Sequence, residues 1–305
     1  MGAHTRQPPP RRAIDGVLLL DKPSGMTSNA ALQSARRLLD ARKAGHAGTL
    51  DPLASGLLPL TFGEATKFTQ MLLDAGKVYE AGVRLGIETD SGDAEGKVLA
   101  TRPVAVDEAG LRRTLARFTG EIEQIPPMYS ALKRNGKPLY EYARAGIEIE
   151  RAPRRVTISE LSLLAFAGER FVIRVACGKG AYIRTLAMDI GAALGCGAHL
   201  DALRRTRAGT FDLSASVTLE KLETLPPAQR DTLLAPVDTL VAAFPRLDLD
   251  AAAARQILQG QPLRRSGENP GDRVRLYGPD GFLGLGQWKE DERLWPKRLV
   301  CTEQT

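Results

Sequence analysis

Apolar and polar positions follow two periods along the chain, and the changes of period mark out its elements. GVLLLD at 16–21 is a short continuous apolar run, which predicts a buried strand. KPSGMTSN then turns the chain. Leu32, Ala35, Leu38 and Leu39 recur at helical spacing and predict a helix over Asn29–Asp40, with Ser28 as its N-cap. Lys43–Gly56 is rich in Gly and Pro and has no period, so it reads as a structured loop rather than an element. A strand is predicted at Leu57–Phe62 and a helix at Glu64–Asp74. Across Val78–Glu88 the period is two, placing Tyr79, Ala81, Val83, Leu85 and Ile87 on one face of a strand.

Asp107–Phe118 returns to helical spacing through Leu111, Leu115 and Phe118, and Gly120 closes it. Pro138 opens a short helix that Gly146 ends. Val156–Leu164 and Arg170–Cys177 read as strands, and Gly178-Lys179-Gly180 as a turn. A helix over Tyr182–Leu194 presents Ile183, Leu186, Ala187 and Ile190 on one face, and a further strand covers Ala202–Phe211. Strands and helices mix without a steady βαβ rhythm, which favours an α+β fold over a doubly wound one. A linker is expected near Phe244-Pro245. Beyond it come a helix at Ala251–Gln259, capped by Gly260, and short strands at Arg273–Tyr277, Phe282–Trp288 and Leu299–Cys301. The expected organisation is a flexible basic tail at 1–13, a main domain at 14–244 and a small β-rich module at 245–305. Two domains suit a length of 305 residues.

Composition narrows the class. The chain is 43% hydrophobic and 26% charged, which argues against long disorder, collagen and coiled coil. Lys and Arg number 42 against 36 Asp and Glu, a mild basic excess that suits a polyanionic partner without demanding one. Three cysteines and no CxxC make a disulfide framework improbable and favour a reducing, cytoplasmic setting. Cys196 and His199 form a CxxH, but a tetrahedral metal site needs further ligands at suitable spacing, so no metal is expected. No apolar run approaches the ~18–20 residues that span a bilayer. Phosphate-loop, dinucleotide-binding and nucleophile-elbow motifs are missing from the sequence, so no cofactor is expected.

One segment is dense in chemistry: His46-Ala47-Gly48-Thr49-Leu50-Asp51-Pro52-Leu53-Ala54-Ser55-Gly56. Glycines permit close approach of a ligand, and Pro52 stiffens the turn. A carboxylate held there is a candidate nucleophile or base. On these residues alone, an aspartate that merely caps a turn fits better, because Asp commonly occupies turns.

The wider pattern changes that weighting. HAGTLDPLASG resembles the signature loop of the tRNA pseudouridine synthase B (TruB) family, the tRNA pseudouridine-55 synthases. Six more blocks are similar to the family's motifs, in order, across residues 14–211. They are KPSGMTS from Lys22; GEATK from Gly63; KVYE from Lys77 with Gly86, Thr89, Asp90 and Asp93; PPMYSALK from Pro126; GAYIRTLA from Gly180; and LRRT from Leu203 with Gly209 and Phe211. The resemblance implies a pseudouridine-synthase α+β fold, with a mixed, largely antiparallel sheet flanked by helices. It also implies a cofactor-free isomerisation of a flipped-out uridine at position 55 in the T loop of tRNA. The last module, with VRLY from Val274 and GFLGLG from Gly281, resembles a PUA RNA-binding domain.

Site roles follow by position. Asp51 matches the family's catalytic aspartate, which attacks the ribose C1′, promotes elimination there, or attacks C6 of the base. Arg184 matches the arginine that pairs with it, and Tyr79 the tyrosine that stacks on the target base. Tyr182 and Leu203 match positions that contact the flipped nucleotide, though plain burial explains Leu203 almost as well. His46 is expected to pack against RNA where the base has left. Lys22 either touches phosphate or braces the loop, with bracing ahead. From Lys133 to Arg155 there are seven Lys/Arg against three Glu, interleaved with Tyr140 and Tyr142. Residues 125–152 correspond to the family's tRNA-clamping insertion, and Arg151, Arg154 and Arg155 are expected to grip RNA there. Arg204, Arg205 and Arg207 suggest a second basic cluster. The implied partner is tRNA, through its T arm and possibly its acceptor end. A monomer without an obligatory protein partner or membrane attachment is expected. The rival readings are a non-catalytic tRNA-binding or RNA-folding protein and a guide-RNA-dependent synthase of the dyskerin type.

Overall fold

A computed structural model of the chain describes residues 11–264 and 271–301. Its main sheet has ten strands. The principal path runs Val217–Thr218, Gly16–Lys22, Ser55–Phe62, Ala198–Ala208, Lys77–Leu85, Arg170–Cys177, Arg154–Ala167 and Gly120–Gln124. Ala44–His46 pairs with Ser55–Phe62, and Phe211–Asp212 with Ala198–Ala208. Most neighbours are antiparallel. Ser55–Phe62 meets Ala198–Ala208 in parallel, and Gly16–Lys22 meets Val217–Thr218 in parallel, so the sheet is mixed. Helices Ser28–Leu38, Glu108–Ala116 and Ile183–Ala193 contribute Leu32, Leu111, Leu115, Ile183, Leu186 and Ile190 to a core shared with sheet residues such as Leu60, Val83 and Ile173. The fold is α+β.

A separate five-stranded sheet closes the chain, in the order Arg246–Asp248, Arg273–Gly278, Gly281–Trp288, Arg293–Leu299 and Leu263–Arg264. Helix Ala251–Leu258 covers it through Ala254 and Ile257. This module leans on the main domain. Phe68 and Phe282 meet as tilted rings with centroids 5.7 Å apart, and Lys67 Nζ donates to the Leu299 carbonyl at 3.0 Å.

The departures from the sequence reading have local causes. The first helix begins at Ser28 and is capped by Thr27, whose hydroxyl accepts from the Ala30 amide. Ser28 serves elsewhere, as described below. The 43–56 segment is not wholly loop, because Ala44–His46 pairs along Leu60–Phe62. The Val78–Glu88 strand breaks at Gly86, which adopts φ +83°, and Ile87–Thr89 pairs instead with Val98–Thr101. Helix Glu64–Asp74 divides into a 3₁₀ stretch, Gly63–Phe68, and an α-helix, Thr69–Asp74. The last strand starts six residues earlier than expected, at Arg293, because Pro296, Lys297 and Arg298 hide its alternation. Most of the expected tail lies outside the described residues. Its end is ordered: Arg12 donates its amide to Asp40 and pairs with Asp231.

Candidate active site

The loop bearing Asp51 is held from one side by the turn after the first strand. Ser28 Oγ donates to the Leu50 carbonyl at 3.0 Å and accepts from the Leu50 amide at 2.8 Å. Ser24 Oγ donates to the Leu53 carbonyl, and the Gly25 amide to the Pro52 carbonyl. Lys22 organises that turn. It is 0% exposed, and its ammonium donates to the Pro23 and Met26 carbonyls at 2.8 and 2.6 Å. Burial lowers its pKa to about 8. Of the two roles weighed for Lys22, this position suits bracing and keeps the ammonium out of reach of a phosphate.

Asp51 faces a cavity of about 350 Å³, a volume suited to a nucleoside-sized group. Arg184 stands beside it on the first turn of Ile183–Ala193. Arg184 Nε lies 3.0 Å from Asp51 Oδ2, with the arginine side chain 5% exposed and the aspartate 39% exposed. The same guanidinium donates to the carbonyls of Ser91 and Tyr129 at 3.0 and 2.6 Å and lies 3.6 Å from Asp93 Oδ2. Asp93 is fixed in turn by the Ser91 hydroxyl and the Glu95 amide. Arg184 therefore has no freedom to swing away from Asp51. Burial pushes the Asp51 carboxyl up, Arg184 opposes that shift, and nearby Asp93 adds to it.

The cavity wall opposite the loop is built by strand register. Leu203 and Arg205 lie across the antiparallel pair from Ala81 and Tyr79, so all four share one face. Tyr79, Leu203 and Arg205 line the cavity, as does Tyr182. Gln124 pins the Tyr182 backbone by accepting from its amide and donating to its carbonyl. Burial pushes the phenols of both tyrosines up.

Not every expected residue meets here. Among the described residues, the cavity wall includes neither His46 nor Lys22. His46 ends the short strand opposite Leu60, half-buried, and burial lowers its pKa. Arg151 is turned inward, donating to the Pro126 and Ile149 carbonyls. Arg154 and Arg155 are exposed and consecutive on a strand, so they point to opposite faces. The same alternation dissolves the second basic cluster. Arg204 pairs with Asp21 at 2.7 Å on one side, while Arg205 is buried on the other.

Two residues that the structure places at the site escaped the sequence reading. Asp93 stood in a matched block without a role, and Arg205 was counted as surface charge. The alternation of Leu203 and Arg205 with Arg204 was the signal available for the latter.

Comparison with known proteins agrees with this geometry. Residues 36–183 match the TruB family pseudouridylate synthase N-terminal domain, 184–242 the tRNA pseudouridylate synthase B C-terminal domain, and 245–300 the pseudouridine synthase II TruB C-terminal family. The chain is 67% identical over 294 residues to the tRNA pseudouridine synthase B of Azoarcus sp. (strain BH72), covering 96% of this chain and 97% of that one. It is 63% identical to the protein of the same name from Aromatoleum aromaticum, over 97% and 96% of the two chains. Among solved structures, an H/ACA RNP bound to a substrate RNA containing 2'-deoxyuridine superposes with a TM-score of 0.71 at 26% identity, over 95% of this chain and 86% of that one. An archaeal box H/ACA sRNP Nop10-Cbf5 complex gives 0.71 at 25% identity, over 99% and 94%. With identity this high along nearly its whole length, and with the signature aspartate and arginine paired at a cavity, the chain belongs to the tRNA pseudouridine synthase B (TruB) family.

Proposed function

We infer that the protein isomerises a uridine of tRNA to pseudouridine, at position 55 in the T loop, with Asp51 as the reacting carboxylate. The observation that carries this reading is the Asp51–Arg184 pair, open to a nucleoside-sized cavity that Tyr79 also lines. In the reaction the bond from ribose C1′ to N1 of uracil breaks. The base turns, C5 bonds to C1′, C5 loses its proton and N1 gains one. Atoms balance without an external reactant. The chain's own groups supply the rest. Arg184 fixes the carboxylate and favours its charged form. Tyr79 stacks on the base, and Leu203 and Tyr182, which line the same cavity, contact the flipped nucleotide. A uridine stacked in an RNA loop reaches this cavity only by extrusion, at a cost of a few kcal/mol.

Grip on tRNA falls to the 125–152 insertion and Arg154, whose cation lies close enough to act on the Tyr182 phenol. Lys137 and Arg144 sit over the rings of Tyr142 and Tyr140, giving the insertion paired cationic and stacking surfaces. The C-terminal sheet serves as a PUA-like contact for the acceptor end. Monomeric action in the cytoplasm accords with this scheme. A guide-RNA-dependent mode is the weaker reading, because the chain is 67% identical to a relative named tRNA pseudouridine synthase B and 26% identical to the matching chain of an H/ACA RNP.

The test uses unmodified tRNA carrying C5-tritiated uridine. Wild type should release tritium, and Asp51→Asn should release none above background while binding the same tRNA. Equal release by both would remove Asp51 from the reaction, and no release by either would favour a binding protein.

A further inference from the structure

Arg205 is 1% exposed, yet no carboxylate among the described residues pairs with it. Its Nε donates to the Leu57 carbonyl at 2.7 Å and its Nη2 to the Gly48 carbonyl at 3.0 Å. Burying a cation without a counter-charge is costly, and a neutral side chain could fill the same space. A guanidinium that the protein leaves uncompensated keeps its charge available to whatever enters the cavity it lines.

Its neighbours say where that charge is aimed. Arg205 and Tyr79 are direct partners across the two central strands and share the cavity face. Across that pairing the charge of Arg205 opposes the rise that burial imposes on the Tyr79 phenol. Gly48, the other anchor, lies three residues before Asp51. It takes φ +92°, and a Cβ there would come within 3.3 Å of Arg205 Nη1. Gly56, at the other end of the loop, has φ +97°, and a Cβ there would sit 2.4 Å from the Arg205 backbone carbonyl. The loop thus packs on the Arg205 side chain at Gly48 and on its backbone at Gly56.

We propose that Arg205 is a positioning residue for the isomerisation: it ties the Asp51 loop to the Tyr79 strand, aims the Tyr79 hydroxyl into the cavity, and stabilises negative charge on its oxygen. This rests on the reading of Asp51 and Tyr79 as groups that face the reacting nucleoside. It goes beyond that reading by assigning a task to a cation that otherwise only fills space. A purely structural brace would need the two carbonyl bonds and nothing from Tyr79.

The experiment is a double-mutant cycle on single-turnover tritium release, with enzyme in excess, using wild type, Arg205→Lys, Tyr79→Phe and the double variant. Lysine keeps the charge and one carbonyl bond but lacks the fork, so the fold is retained. Arg205→Lys should slow release about tenfold or more with tRNA Kd within about twofold. In the Tyr79→Phe background the same change should cost less than about twofold, because coupled residues are not additive. Its pH–rate profile should also have its alkaline limb displaced upward from that of wild type. Independent, multiplying losses in the cycle would overturn the proposal, as would an unmoved pH profile or a loss that resides wholly in Kd. Asp51→Asn, assayed in parallel, reports on the underlying function separately. If it stays active, the assignment of Asp51 fails, whatever the cycle gives.

Discussion

Arg184 Nε lies 3.0 Å from Asp51 Oδ2, and the rest of that guanidinium is spent on Ser91, Tyr129 and Asp93. The Asp51 carboxylate is therefore oriented by a cation that is itself locked. Lysine at 184 would keep the charge but could not span these partners at once. Arg184→Lys should bind tRNA normally and lose about 100-fold or more in single-turnover rate. Near wild-type turnover would show that orientation by the fork is dispensable. Arg184→Met should also leave Asp93 as a buried, unpaired charge and cost about 3 kcal/mol of stability, read by denaturant unfolding.

The acid limb of the pH–rate profile should sit above the ordinary aspartate range. Burial, helped by Asp93, raises the Asp51 carboxyl despite the opposing pull of Arg184. As pH falls, the reactive carboxylate is then protonated earlier than a free aspartate would be. Asp93→Asn removes a neighbouring negative charge and should move that limb to lower pH. A limb that does not respond to Asp93→Asn would deny the electrostatic link.

Asp189, on the helix that carries Arg184, titrates near pH 6, raised by burial alone. Its folded value lies above the unfolded one, so the folded state carries its full penalty above pH 6, and the penalty fades as pH falls from there toward the ordinary aspartate value of 3.8. Asp189→Asn should raise stability by about 1 kcal/mol at pH 8, after allowance for the solvent that still reaches the group, and by far less at pH 4. Thermal unfolding at the two pH values checks this, and an equal gain at both would contradict it.

Lys22 is tied to two backbone carbonyls in the turn that holds the Asp51 loop. Lys22→Met should leave those carbonyls unpaired and cost about 2 kcal/mol of stability. The salt dependence of tRNA affinity should stay as in wild type, because no phosphate contact is lost. A shallower salt slope would restore a phosphate role.

Arg154 and Arg155 differ in the face they present, and Arg154 is the one near Tyr182. Arg154→Glu should weaken tRNA binding and flatten its salt dependence by about one contact, more than Arg155→Glu does. Arg151→Glu should instead loosen the insertion, whose carbonyls at 126 and 149 it now holds. Equal effects of the substitutions at 154 and 155 on affinity would rule out the facing argument.

Local pattern in the chain was enough for the order of most elements, because apolar period and Gly/Pro punctuation report which face of each segment is buried. The α+β class and the candidate residues Asp51, Tyr79, Arg184, Tyr182 and Leu203 were legible there, the residues because whole motif blocks stand in order. Partnership was not legible. Ser28 looked like a helix cap until the fold put Leu50 against it. Arg204 and Arg205 looked like one cluster until strand pairing sent one to Asp21 and the other inward. Asp93 and Asp51 lie 42 positions apart and share one arginine because the fold brings both within reach of Arg184, in the first turn of Ile183–Ala193. Burial, charge compensation and reach are properties of neighbours brought together across long stretches of chain, and only the tertiary structure decides them.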